Sequence, residues 1–354
     1  MIVVRRITVL AAGAAFVVAV AVSAFSIGRT GKVHEPVAKA APAKVADGDL
    51  TTGTIASRPA PANSQSVPPA PAVAAPPAAP ASVAAATPRP ACPGNPNALG
   101  ISRVVEIDTT GGPGFGFEQF KAHDFLDAGE IVLTFDDGPW PANTPAVLAA
   151  LAAHCVKATF FPIGKHATWH PEILKQVAAQ GHTIGSHTWS HIDLARKSTA
   201  DAKDEIERGF SAVAISAGRP PAPFFRFPAL RMTPELTAYL AERNIGIFST
   251  DLDSFDFKIK KPDQVVVSVM TRLKKIGKGI ILLHDFQRST AHALPDLLVQ
   301  LQAGGYRVVQ LKAKDTVATL PQYDAAMAKA QTGQTSDGRP TASVVRTIGG
   351  YVNQ

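Results

Sequence analysis

The sequence predicts an α/β protein whose parallel strands close into a distorted seven-stranded (β/α)7 barrel, preceded by an N-terminal signal or anchor and a Pro/Ala-rich linker. Three observations predict it. Between residues 98 and 325, seven short apolar runs alternate with six helical patterns, the arrangement of right-handed βαβ crossovers on a parallel sheet. Most runs are apolar throughout rather than alternating, as strands covered on both faces are. The stretch is about 230 residues long, enough to close a barrel. Strand counting leaves an open, doubly wound sheet as the alternative.

The elements follow in order. Arg5 and Arg6 precede an uncharged, mostly apolar run from Ile7 to Gly28. Its length suits a bilayer-spanning helix, and Val22-Ser23-Ala24 resembles a signal cleavage site. Residues 1–30 are therefore read as a signal peptide or inner-membrane anchor, and the remainder as exported to the periplasm or cell envelope. Residues 31–97 are mostly Ala, Pro, Val and Ser. Repeated proline removes backbone donors and predicts a disordered, partly extended spacer. Residues 98–130 form an extra N-terminal layer ahead of the first core strand. Strands are expected at 131–136, 158–164, 182–187, 224–229, 245–250, 279–285 and 306–311. The helix after the first strand has Asn143 or Thr144 as its cap and Pro145 in its first turn. The next opens on Pro171 and stops at Gly181. Four further patterns precede the last strand, and residues 326–354 read as a flexible polar tail.

Composition narrows the function. The chain carries a net charge of +7, but its basic residues form no stripe with interleaved aromatics, which excludes nucleic acid as a partner. Cys92 and Cys155 are the two cysteines. In an oxidising compartment they could pair, adding about 4 kcal/mol on the chain-entropy view; two unpaired thiols are the alternative.

The unusual polar residues all fall at one end of the expected strands. Asp136 and Asp137 end the first, and His187 and His191 follow the third. Arg226 lies late in the fourth; Asp251, Asp253 and Asp256 follow the fifth; His284 and Asp285 end the sixth. In parallel α/β folds that rim carries the active site. His187 and His191, spaced i and i+4 on a turn of helix, would face one ligand. With a carboxylate they make a two-His, one-carboxylate set that leaves a position open for water. Thr188 after the first histidine, where a zincin protease needs Glu, argues against that class.

The segments TFDDGP, SHTWSH, RFP, DSFDF and LLHD occur in this order. Together they resemble the polysaccharide deacetylase family, the NodB homology domain of carbohydrate esterase family four, over roughly residues 125–315. The resemblance implies a metal-dependent hydrolase that removes acetyl groups from an N-acetylated glycan such as chitooligosaccharide, peptidoglycan or an exopolysaccharide. Asp136 becomes the catalytic base, and Asp137, His187 and His191 the ligands of a divalent metal, Zn2+ first with Co2+ or Ni2+ as alternatives. Arg226 orients the base, His284 is the general acid and Asp253 tunes it. Two positions depart from the family pattern: Ala229 replaces a tyrosine and Phe257 a tryptophan. Alanine still offers its backbone N–H to an oxyanion hole, so the departures bear on substrate contact rather than on the metal. An O-acetyl esterase acting on a glycan such as xylan and a non-catalytic glycan-binding protein are the competing readings.

Overall fold

The computed structural model describes residues 92–332 and 339–345. The expected leader and most of the expected linker lie outside the described residues, as does most of the tail. The described residues belong to one unit, Ala81–Gln354, and contain no helix long and apolar enough to cross a membrane.

In chain order the elements are β1 (Arg103–Ile107), β2 (Gly114–Phe115), β3 (Glu130–Asp136), α1 (Asn143–Ala153), β4 (Thr159–Phe161), α2 (Gly164–Trp169), α3 (Pro171–Ala179), β5 (Thr183–Ile184), α4 (Thr199–Ala217), β6 (Phe224–Phe225), α5 (Pro234–Glu242), β7 (Gly246–Phe248), β8 (Leu252–Asp253), α6 (Pro262–Ile276), β9 (Gly279–His284), α7 (Arg288–Ala303), β10 (Arg307–Ala313) and α8 (Pro321–Thr332). The fold is α/β with parallel strands. β3 is its centre, pairing with β9 along Ile131–Asp136 and with β4 at Thr134–Asp136. β5 lies outside β4, β8 outside β9, and β10 joins the start of β3 to β1. A second parallel sheet has the order β2-β7-β6. The bridge Ser186↔Phe225 connects the two sheets, and the Asp251 N–H donates to the Ile280 carbonyl at 2.9 Å.

β3 is buried from end to end. Successive strand residues face opposite ways. Ile131, Leu133 and Phe135 therefore join a core with Val147 and Leu151 of α1 and Leu294 and Leu298 of α7. Val132 joins the other core, with Phe161, Phe224, Phe248 and Ile280. Asp136 follows Val132 on that alternation, so it ends the strand inside the second core rather than beneath the helices.

Five of the seven expected strands are longer than those observed, whereas β3 and β10 each exceed the expected length by one residue. The expected 158–164 ends at Phe161 because α2 starts at Gly164, and 224–229 ends at Phe225 because Pro228–Leu230 turn. The extra layer contributes β1 as an edge strand on β10 and β2 in the second sheet. The α1 cap is Ala142 rather than Asn143 or Thr144. Those two side chains are drawn to the loop after β9, where Asn143 donates to the Phe286 carbonyl and Thr144 to Asp285. α4 is capped by Ser198, whose side chain accepts the Asp201 N–H, and Gly218 ends it with φ 70.

Cys92 is disulfide-bonded to Cys155, and Asn95 Nδ2 donates to the Ala153 carbonyl at 2.9 Å, so 92–97 belong with the domain rather than the spacer. The expected tail begins inside α8, whose Met327 is buried. An alanine-rich helix is hard to tell from a small-residue tail until its packing partner, here α4, is known.

Candidate active site

Asp136 and Asp137 are neighbours in sequence but not in environment. Asp136 ends β3 and accepts a 2.7 Å hydrogen bond from Arg226 Nη1 at its Oδ1. Arg226 is fully buried. A buried guanidinium needs its donors satisfied, and it donates to Thr134 Oγ1 at 2.8 Å and to the Phe248 and Ser249 carbonyls at 3.2 and 2.9 Å. Its Cζ lies 4.4 Å from the Phe161 ring centre. The ion pair thus rests on β3, β4 and β7 at once and holds Oδ1 rigidly.

Asp137 leaves the strand with φ 74, a left-handed conformation uncommon outside glycine. Gly138 follows, where a Cβ would lie 2.1 Å from the Asp285 carboxylate. Only glycine permits that approach, which the Gly138 N–H uses to donate to Asp285 Oδ1 at 3.0 Å. Asp285 is buried, and burial pushes its carboxyl up to about 7.

The turn aims Asp137 at two imidazoles. Its Oδ1 lies 3.5 Å from His187 Nε2 and 3.4 Å from His191 Nε2. The three ligand atoms lie within 4.8 Å of one another. Asp137 Oδ1 is buried and has no hydrogen-bond partner. His187 Nδ1 is 2.7 Å from the Arg226 carbonyl oxygen, an acceptor, so Nδ1 carries the proton and Nε2 turns a lone pair towards Asp137. Burial pushes His187 down to about 4, against the pull of Asp136 and Asp137. An orphan carboxylate oxygen facing an imidazole lone pair is the arrangement a divalent cation satisfies. The donor set fits such an ion.

The two histidines do not share a helical turn as their spacing suggested. Residues 187–191 form a bend in which Thr188 and His191 both have positive φ, 67 and 55. Thr188 Oγ1 accepts the His191 N–H at 2.9 Å, and the Glu205 carboxylate accepts the Ser190 N–H at 2.9 Å. Glu205, in α4, was not singled out from the sequence; nothing in its spacing points at this bend.

His284 stands on the other side of Asp137, its Nε2 3.9 Å from Oδ2. The expected partnership with Asp253 is corrected by the structure. His284 Nδ1 lies 2.6 Å from Asp256 Oδ1, and the His284 N–H donates to Asp256 Oδ2 at 2.8 Å. Asp253 instead accepts the Phe255 N–H at 2.8 Å, and burial pushes its carboxyl upward. The reason is local. Phe255 has φ 55, and this left-handed step swings Asp256 beneath the end of β9, while Asp253 stays in β8 beside Leu282. Spacing alone could not separate carboxylates three residues apart. Burial opposes the His284 charge, but Asp256 outweighs it, with help from Asp137 and Asp136, and lifts the imidazole to about 10.

Ala229 lies exposed on the turn after β6, with φ 51. Phe257 packs edge-on against His284, ring centres 5.6 Å apart, and is half-buried.

Comparison with known proteins agrees with this geometry. A family model described as polysaccharide deacetylase matches residues 126–246. A peptidoglycan-N-acetylglucosamine deacetylase of Listeria monocytogenes is 33% identical over 184 residues, 51% of this chain and 38% of the relative. A chitooligosaccharide deacetylase of a Bradyrhizobium strain is 32% identical over 192 residues, 50% of this chain and 87% of the relative. Among solved structures, a peptidoglycan deacetylase of Bdellovibrio bacteriovorus superposes with a TM-score of 0.55 at 35% identity, covering 60% of this chain and 59% of that one. The chain thus spans well under two thirds of the Listeria relative and most of the Bradyrhizobium one.

Proposed function

Because the chain belongs to the polysaccharide deacetylase family, we propose that it hydrolyses N-acetyl groups of a glycan at the rim where β3 and β9 end. The observation that carries the reading is the unpartnered, buried Asp137 Oδ1 between His187 and His191, with an ion-paired carboxylate on one side and a charged imidazole on the other. Asp137, His187 and His191 would hold a divalent ion, zinc first, with cobalt or nickel suited to the same donors. Such an ion acidifies the attacking water and polarises the acyl carbonyl.

The chain's own residues divide the remaining work. Arg226 occupies Asp136 Oδ1, leaving Oδ2, which lies 4.0 Å from His187 Nε2. That free oxygen faces the ligand cluster and takes the proton from water as its oxygen attacks the carbonyl carbon. The oxyanion that forms is held in part by the Ala229 backbone N–H. His284, charged by Asp256, gives its proton to the sugar nitrogen as the C–N bond breaks, and acetate leaves. Phe257 forms the apolar wall beside His284.

Several further readings belong to the same proposal. The linked parallel sheets read as a distorted (β/α)7 barrel, supported by the bridge from Ser186, just past β5, to Phe225 of β6 and by the hydrogen bond from Asp251 to β9. The substrate is an envelope glycan, peptidoglycan or chitooligosaccharide by analogy with the relatives. Export to the envelope, with residues 1–30 as signal or anchor, is supported by the Cys92–Cys155 disulfide, since such bonds persist in oxidising compartments. The test is acetate release from N-acetylated peptidoglycan fragments, chitooligosaccharide and O-acetylated xylan by zinc-loaded protein. Release from xylan alone would replace this reading by an esterase, and stoichiometric zinc without release from any of them would sink it.

A further inference from the structure

His166 has no part in the mechanism above, yet it touches the metal-binding carboxylate's own backbone. It lies in the first turn of α2 and is fully buried. Its Nδ1 is 2.5 Å from the Asp137 carbonyl oxygen, so Nδ1 must carry the proton and donate it. Its Nε2 lies 3.1 Å from the Val344 backbone nitrogen and 3.2 Å from Ser343 Oγ. The backbone N–H is a donor only, so Nε2 accepts. Both nitrogens therefore require the same tautomer. Trp140 and Trp169 pack beside the ring, with centres at 5.1 and 5.3 Å. The segment supplying Val344 is tied down again where Arg339 Nη1 meets Glu172 Oε1 at 2.8 Å, on the first turn of α3.

We infer that His166 is a positioning residue for Asp137, and that the C-terminal segment 339–345 sets its tautomer. Asp137 holds its left-handed backbone by two hydrogen bonds. Its N–H donates to the Phe161 carbonyl at 3.2 Å, and its carbonyl accepts from His166. A left-handed non-glycine residue persists only when its surroundings over-determine it. Releasing the carbonyl lets the peptide plane rotate and swings the carboxylate away from His187 and His191. The Val344 N–H keeps the His166 proton on Nδ1, where the Asp137 carbonyl needs it. A segment more than 160 residues from His166 in sequence thereby acts on the ligand set through one imidazole. Groups that orient metal ligands from behind change metal affinity about 10- to 100-fold.

The inference rests on the reading of Asp137 as a metal ligand, so the experiment begins with the wild-type chain. Zinc affinity is measured by competition with a chromophoric chelator, using full-length wild type, His166→Leu, His166→Asn, Val344→Pro and the His166→Asn/Val344→Pro double variant. Failure of wild type to bind one zinc removes the metal reading itself. Given wild-type binding, His166→Leu should weaken zinc about 10-fold. His166→Asn, which keeps a donor near the Nδ1 position but frees the segment, should weaken it only a few-fold, as should Val344→Pro, which deletes the N–H. The double variant should be no weaker than either single one, because both cut the same contact. His166→Leu binding zinc like wild type overturns the inference. If that variant does not fold, Val344→Pro binding like wild type overturns it. His166→Asn as damaging as His166→Leu would assign the effect to packing volume and overturn it as well.

Discussion

Two imidazoles flank the Asp137 carboxylate, His187 3.5 Å from one oxygen and His284 3.9 Å from the other, and they hold opposite charge states. His187 is pushed down to about 4 and His284 up to about 10. Burial disfavours the imidazolium in both. The difference lies behind the rings. His187 Nδ1 faces a backbone carbonyl, a dipole, whereas His284 Nδ1 faces the Asp256 carboxylate, a full charge 2.6 Å away. A dipole orients a ring without paying the desolvation of its charge; a carboxylate does both. One side of the site is thus prepared to give a lone pair and the other to give a proton, by the choice of a single hydrogen-bond partner.

The largest effect should come from removing the shared centre. Asp137→Ala should abolish stoichiometric metal and turnover together, as read by metal analysis and acetate release; metal retained in that variant would break the comparison at its root. Asp136→Asn should keep the metal while turnover falls about 100-fold or more, which separates the base from the ligand set next to it. Asp256→Asn tests the charged side. As the proposed general acid, His284 works only when protonated, so the rate falls as pH rises through its pKa. A bound cation at Asp137 offsets part of the elevation, placing that fall below pH 10. Without the Asp256 charge the fall should begin at lower pH still, and turnover near pH 8 should drop about 10-fold or more. Asp253→Asn should leave the profile in place; the reverse pattern would restore Asp253 as the partner.

The smallest effect falls on another buried histidine, which lies outside the candidate ligand set and faces no carboxylate. His182 Nδ1 accepts the Ala158 N–H at 3.1 Å, and burial pushes it down to about 3 from 6.5. Below 6.5 the unfolded chain takes up a proton that the folded chain refuses, so this site costs stability as pH falls from 6.5 towards 3. His182→Leu should flatten the loss of urea resistance between pH 7 and 4 without altering turnover at neutral pH.

Most of the site was legible in the sequence because motif residues sit at strand ends. Asp136 and Asp137, His187 and His191, Arg226 and His284 all follow short buried runs, and parallel strands deliver their ends to one rim. Asp256 was legible as a rim carboxylate but not as the partner of His284, and Glu205 and His166 were not legible at all, for a common reason. Each acts from behind another residue, through backbone turns with positive φ at Phe255, Thr188, His191 and Asp137. Such turns have no glycine to announce them. Most strand lengths were overestimated for a related reason: apolar character continues past the last ladder hydrogen bond, as at Phe227 and Pro228 after β6, which are buried without strand pairing.

What the sequence by itself determined is the chemical inventory and its rim: the apolar runs, their order, and the carboxylates and imidazoles that end them. Periodicity and motif order carry that information because they are local. The tertiary structure alone decided which carboxylate charges His284, which carbonyl orients His187, and that Val344 reaches His166. Those choices turn on hydrogen bonds of about 3 Å between residues far apart in the chain. A left-handed step of one residue is enough to exchange one partner for another.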